Sequence, residues 1–287
     1  MASPIEDGVN SALEGAGDRR GGEGLVDDPT QDDLKRPRLG LIWPATGEAL
    51  ADFEMASAEW MNALPFGRVI GFDVAYSRAE PGHTIDVLRR VGEAERLLEP
   101  GRELKARNAE AIVWACTSGS FIGGYRWALD QLSRLEDALG VPVTSATVAL
   151  IQCARRSGLH HVDVLSPYPE EVSEVFYECL SDAGLSVETR RSLHSPGATA
   201  SANLPLVDLC RDFAESCGLK GDAVLIPDTA VNSLDLMPEL EEALRRPVLS
   251  VNQACILDGA YLLGQDQALS EFETFRGLWA GRPRRGG

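Results

Sequence analysis

Three observations predict an α/β fold of two similar lobes on parallel sheets. Short apolar runs alternate with longer amphipathic stretches, their order repeats, and two of the runs end abruptly in a chemically capable side chain. The runs are 39–43, 69–74, 111–115, 162–165, 223–226 and 248–251, and helical periodicity appears at 85–108, 123–139, 146–157, 169–183, 204–217 and 235–245. Strand and helix in this rhythm imply parallel strands with helices on both faces.

The repeat carries the second lobe. Leu41-Ile42-Trp43-Pro44 opens one half and Val164-Leu165-Ser166-Pro167 the other, and each leads through a polar turn with Glu48 or Glu170 into a helix. Cys116-Thr117 comes 72 residues after Pro44, and Asp228-Thr229 comes 61 after Pro167. This matched order predicts two lobes facing each other across a cleft. All four turns fall at the carboxyl ends of strands, where open α/β sheets bind ligands. The domain boundaries expected are 37–145 and 146–275, with the C-terminal strand and helix crossing back to the first lobe. Residues 1–36 are acidic, glycine-rich and poor in large apolar groups, so they are expected to be disordered, and 276–287 to form a flexible tail.

Bulk composition narrows the function. The 287 residues are 44% hydrophobic and 25% charged, which is ordinary for a globular chain, and no apolar run reaches membrane-spanning length. No secretory signal is legible, so a cytoplasmic protein without membrane association is expected. A formal net charge of −17 argues against nucleic acid as a partner, but not against a small anionic substrate held by backbone N–H groups. The six cysteines lack metal-ligand spacing, and Cys153, Cys179, Cys210 and Cys255 read as small core residues. His160 and His161 flank a strand in poor metal geometry, and His83 and His194 read as polar-loop histidines. Neither a dinucleotide fingerprint nor a Walker motif occurs, so no cofactor and no metal are expected.

Chemistry concentrates in Ala115-Cys116-Thr117-Ser118-Gly119-Ser120. A helix is expected to begin near Phe121, and a cysteine near a helix N-terminus favours thiolate, able to act as a nucleophile or base; a buried inert thiol is the alternative. Thr117 and Ser118 offer hydroxyls and amides to a carboxylate, although capping by Ser118 or Ser120 accounts for the same residues. Asp228 reads as the opposing acid/base, or else as a plain N-cap. Thr229 lies behind it. Tyr168 offers a phenol to a substrate oxygen or packs as an aromatic, and Thr46, beside Pro44, is its counterpart in the first lobe.

The Cys-Thr-Ser-Gly-Ser stretch resembles the aspartate/glutamate racemase superfamily, in particular the branch of maleate cis-trans isomerases and arylmalonate decarboxylases. Ser166-Pro167-Tyr168-Pro169-Glu170-Glu171-Val172 is similar to that branch's second-lobe opening turn, and Val251-Asn252-Gln253-Ala254 to its C-terminal strand ending. The resemblance spans roughly 37–275. It implies two flavodoxin-like lobes, each a parallel four-stranded sheet flanked by helices, related by pseudo-twofold symmetry, with neither metal nor pyridoxal phosphate and with a dimer as the assembly. In that family two cysteines typically flank a small carboxylate, the decarboxylases keeping only the second; here Asp228 stands where the second would be, and Gly47 where an asparagine is often found. The expected function is a cofactor-independent isomerase or racemase of a small carboxylic acid, with Cys116 opposed by Asp228 and with Pro44, Thr46, Thr117, Ser118, Tyr168 and Thr229 around the substrate. A decarboxylase-like lyase and a carboxylate-binding protein without turnover are the alternatives.

Overall fold

The computed structural model describes residues 36–47 and 49–279. The expected N-terminal tail therefore lies outside the described residues, apart from residue 36, as do Glu48 and residues 280–287 of the expected C-terminal tail. Residues 276–279 continue the helix Glu273–Trp279.

Two four-stranded parallel sheets form the framework. The first has the order β2-β1-β3-β4, with β1 Arg38–Ala45, β2 Gly71–Arg78, β3 Ala111–Trp114 and β4 Val143–Ser145. The second has the order β6-β5-β7-β8, with β5 His161–Ser166, β6 Ser186–Ser192, β7 Ala223–Ile226 and β8 Val248–Ser250. Replacing each strand of one sheet by the fourth strand further along gives the other, so the lobes share one topology, and both are flavodoxin-like sheets flanked by helices. In both, the strands that carry the repeat (β1 and β3, β5 and β7) are the central pair. β3 and β7 are buried at every residue, as continuous apolar strands covered on both faces must be.

Two strands escape the apolar-run criterion. β4 has three residues, and β6, Ser-Val-Glu-Thr-Arg-Arg-Ser, is an edge strand whose residues alternate between exposed and half-buried. The single helix expected over 85–108 is two, Ile85–Val91 and Glu95–Ala106. They part at Gly92, where a Cβ would lie 2.6 Å from both the Gly119 carbonyl oxygen and the Trp127 ring. Only a glycine lets this corner press against the Cys116 loop.

The run 248–251 ends as a strand at Ser250, and Val251-Asn252-Gln253-Ala254 is the first turn of a helix, Val251–Leu262, rather than a strand ending. A capping box makes the switch: Ser250 Oγ accepts from Gln253 N, and Gln253 Oε1 accepts from Ser250 N. This helix is buried all round through Ala260, so it serves both lobes. Gly259 brings it against Leu39 of β1, and Asp258 accepts from Thr144 Oγ1 at 2.6 Å and pairs with Arg156.

Candidate active site

β3 delivers Cys116. Ala115 N still donates to Ile42 O in β1, after which the chain turns into the helix Thr117–Phe121, with Cys116 as its N-cap residue. The helix therefore starts four residues before the expected position, and Ser118 and Ser120 lie inside it instead of capping it. Ser120 Oγ donates to Thr117 O and to Thr147 Oγ1, which ties this turn to the helix Ala146–Arg156. Gly119 is required here: a Cβ would lie 3.0 Å from Cys116 Sγ and 2.9 Å from the Trp114 ring. Its absence lets the sulfur reach the Gly119 N–H.

β7 delivers Asp228 by a different local route. Its backbone is left-handed, φ 79°, a conformation in which a non-glycine residue costs roughly 1 kcal/mol or more. No helix follows: Val231 N donates to Asp228 O and Ala230 N to Asp228 Oδ1, closing a turn, so Asp228 is not a helix N-cap. The two turns are stitched together by Thr229, whose N–H donates to Thr117 Oγ1 at 3.2 Å and whose hydroxyl donates to Ala115 O at 3.0 Å. Those hydroxyls are thus engaged in holding the lobes, and only Ser118 of the three turns its hydroxyl to the Cys116 sulfur.

One cleft collects these groups. It is lined by Pro44, Thr46, Cys116, Thr117, Ser118, Asp228 and Thr229, by apolar Trp43, Phe53, Leu88 and Val91, and by the loop Ala79–His83. Tyr168 is not at its surface but fully buried behind it, ring edge against His83 and Phe121, with its hydroxyl near Asp228, Cys116, Thr117 and Ser118. Asp228 Oδ2 is buried without a hydrogen-bond partner, and Tyr168 Oη has the Thr117 and Ser118 side chains within reach but no well-aligned hydrogen bond. Leaving such groups unpaired costs about 1–3 kcal/mol each, so a ligand that pairs them recovers that energy.

Electrostatics reverse the expected state of the thiol. Burial, joined by the negative charge of Asp228, pushes Cys116 up to about 12, against the lowering effects of the Gly119 N–H and the Ser118 hydroxyl. A five-residue helix contributes too little to overcome desolvation. The resting site holds a thiol. The N–H groups of Thr117 and Ser118, in the helix's first turn, have no acceptor within the helix and border the cleft. In the second lobe the equivalent donors are spent: Thr229 N on Thr117, Ala230 N on Asp228.

Two groups that sequence reading passed over belong here. His83 is buried rather than a surface-loop residue, and its Nε2 lies 3.9 Å from Asp228 Oδ2. Glu54, from the segment after β1, reaches across to the loop that follows Asp228: its carboxylate accepts from Ser233 N, Leu234 N and Asn252 Nδ2. Asn252 also donates to Thr229 O and Val231 O, so one carboxylate and one amide hold that loop. Burial pushes Glu54 up to about 7 despite these donors. Among the described residues no cluster of His, Cys, Asp and Glu is arranged to hold a metal ion, and all six cysteines are free.

The arylmalonate decarboxylase family model matches residues 86–274, well over half of the chain. The chain belongs to the arylmalonate decarboxylase family. Arylmalonate decarboxylase of Bordetella bronchiseptica is 28% identical over 173 residues, 59% of this chain and 72% of that protein. A double variant of arylmalonate decarboxylase, solved in its liganded form, superposes with a TM-score of 0.68 at 25% identity, covering 79% of this chain and 93% of the other. Maleate isomerase of Pseudomonas putida S16 matches with a TM-score of 0.68 at 21% identity, covering 80% and 94% of the two chains. A Nocardia farcinica maleate cis-trans isomerase variant carrying a covalently bound succinylcysteine intermediate also scores 0.68 at 21% identity, covering 79% and 93%. These last two show the shared fold.

Proposed function

We propose that this chain is a cofactor-independent isomerase of a small carboxylic acid, with Cys116 as nucleophile, Asp228 as the opposing acid/base, and Pro44, Thr46, Thr117, Ser118, Tyr168 and Thr229 enclosing the substrate. The observation that carries this reading is the convergence of the Cys116 thiol and the unpaired Asp228 Oδ2, from opposite lobes, on a cleft lined by Thr117 and Ser118 at a helix's first turn. Substrates of the structural relatives, maleate among them, suggest an unsaturated acid.

A balanced sequence follows. The Sγ–H proton passes to the Asp228 side as sulfur bonds to an olefinic carbon. The π electrons move onto the adjacent carboxylate, whose enediolate oxygens accept from Thr117 N–H and Ser118 N–H, and Tyr168 Oη donates to a second oxygen. Each such donor contributes about 3 kcal/mol where charge develops in a dry site. Rotation about the new single bond and collapse of the enediolate release the trans acid, and sulfur recovers its proton. The thiol's resting protonation suits this order, because ionisation then coincides with attack.

A decarboxylase-like lyase is the second reading, favoured by the family model and by the activity in the Bordetella relative's name. Both are tested by incubating the protein in deuterium oxide with maleate, aspartate, glutamate and an aryl malonate, beside Cys116→Ala. Isomer or configurational change at constant mass, apart from deuterium, and only with Cys116 present supports the isomerase. Carbon dioxide release supports the lyase instead. Binding with neither points to a carboxylate-binding protein.

A further inference from the structure

His83 is held in one orientation by the second lobe. Its backbone N–H donates to Pro196 O at 3.1 Å, its ring lies edge-on to Tyr168, and its Nδ1 lies 3.2 Å from Ser195 O. That oxygen is itself fixed, since Ser195 N donates to Pro167 O and Ser195 Oγ to Gly197 O. A carbonyl only accepts, so Nδ1 carries the hydrogen, and Nε2 is the ring nitrogen left to face the site. What Nε2 faces, at 3.9 Å, is Asp228 Oδ2, an acceptor with no partner.

Nε2 and Oδ2 face each other across a buried gap that one proton would bridge. Glu80, the other carboxylate lining the cleft, is already engaged by Arg96 and Arg90. The group in the site that must lose a proton is Cys116, which lines the same cleft as Asp228 and His83. The geometry points to His83 Nε2 as the terminal acceptor of the Cys116 proton, received by way of Asp228. The Sγ–H bond breaks, the proton crosses Asp228 Oδ2 and an Nε2–H bond forms. The sulfur keeps its electron pair for carbon, and an imidazolium–carboxylate pair results. His83 is thus a positioning residue that acts through Asp228, and it stands in for basicity that a second thiol would supply. The inference rests on the reading of Cys116 as attacking thiol.

Alkylation of Cys116 by iodoacetamide, followed by peptide mass spectrometry, tests this without knowledge of the substrate. His83→Asn is the informative variant, because its amide N–H retains a donor for Ser195 O while Nε2 is lost. Alkylation of Cys116 at neutral pH is expected to slow by about 10²-fold, the usual scale for a missing base, with the melting temperature little changed. An unchanged alkylation rate overturns the inference. Independently of any variant's fold or reagent access, nitrogen-15 NMR of the native protein at pH 8 should show His83 with hydrogen on Nδ1 and none on Nε2. Hydrogen on Nε2 in the resting protein overturns it. His83-dependent alkylation with no turnover of any acid would sink the isomerase reading and leave this proton path standing.

Discussion

The turns after β3 and β7 occupy equivalent places in two lobes of one topology, yet they treat their backbone N–H groups in opposite ways. After Cys116 the chain enters a helix in which Gly119 N–H goes to the sulfur while the Thr117 and Ser118 N–H groups have no acceptor within the helix. After Asp228 the chain is left-handed, no helix forms, and the donors are consumed by Asp228 Oδ1 and Thr117 Oγ1. On the proposed reading the first turn holds a developing oxyanion and the second offers or takes a proton. A pseudo-symmetric framework thus supports an asymmetric division of labour, set by one left-handed residue and two hydrogen bonds.

That contrast is broken most severely from the first side. Removing sulfur in Cys116→Ala should lower turnover by about 10⁴-fold or more, because no other group in the cleft attacks carbon. Asp228→Asn comes next, at about 10²–10⁴-fold. Asparagine tolerates the left-handed backbone and keeps an oxygen for Ala230 N, so the melting temperature should hold while steady-state turnover falls. Turnover that survives Asp228→Asn would show that the second turn has no chemical role. Asp228→Cys sharpens the contrast: if the N–H asymmetry governs, a thiol there still leaves the enediolate bound on the Cys116 side, and Cys116→Ala in that background remains inactive.

A third prediction concerns what holds the second turn in place. Glu54 titrates at about 7 in the fold against an ordinary 4.5, because burial outweighs its donors. A raised carboxyl binds its proton more tightly folded than unfolded. Its contribution to stability is therefore full below 4.5 and lost as pH rises through about 7, on the order of 3 kcal/mol in all. Glu54→Gln should remove this slope: the variant's stability relative to the parent rises by that order between pH 4.5 and 8, read by denaturant unfolding. The amide facing Leu234 N adds an offset that does not vary with pH. Parallel curves for the two proteins would show that Glu54 does not titrate in this window.

The framework was legible because its signals are local. β1, β3, β5 and β7 are buried apolar runs punctuated by proline, cysteine or aspartate, and their matched order announced the second lobe. Resemblance in Cys116-Thr117-Ser118-Gly119 and around Tyr168 led to the same family as the whole-chain comparison. What was not legible depends on contacts between distant segments. β6 is a charged edge strand that pairs only because β5 is beside it. His83 looked like a polar-loop histidine because Ser195, Tyr168 and Asp228, which bury it, lie far along the chain. The thiol's protonation depends on burial and on Asp228, whereas the sequence shows only that a helix start is near. The turn after Asp228 resembles that after Cys116 in composition, and only backbone geometry separates them.

Tyr168→Phe gives the smallest effect and discriminates most finely between a residue that waits for a ligand and one that packs. Its hydroxyl is buried among Cys116, Asp228, Thr117 and Ser118, with the Thr117 and Ser118 side chains within reach but no hydrogen bond of good geometry. Deleting a buried hydroxyl whose contacts with Thr117 and Ser118 are poorly aligned forfeits little and relieves desolvation, so stability should rise by up to about 1 kcal/mol, a melting shift of about 2–4 °C for a chain of this size. If the phenol pairs with a substrate oxygen, KM or kcat should worsen by about tenfold in the same variant, the equivalent of one hydrogen bond of about 1.4 kcal/mol. A protein made more stable and less active by one oxygen atom places that atom in the site. Lower stability with unchanged turnover would make Tyr168 a packing aromatic, and leave the N–H groups of Thr117 and Ser118 as the oxyanion's sole donors.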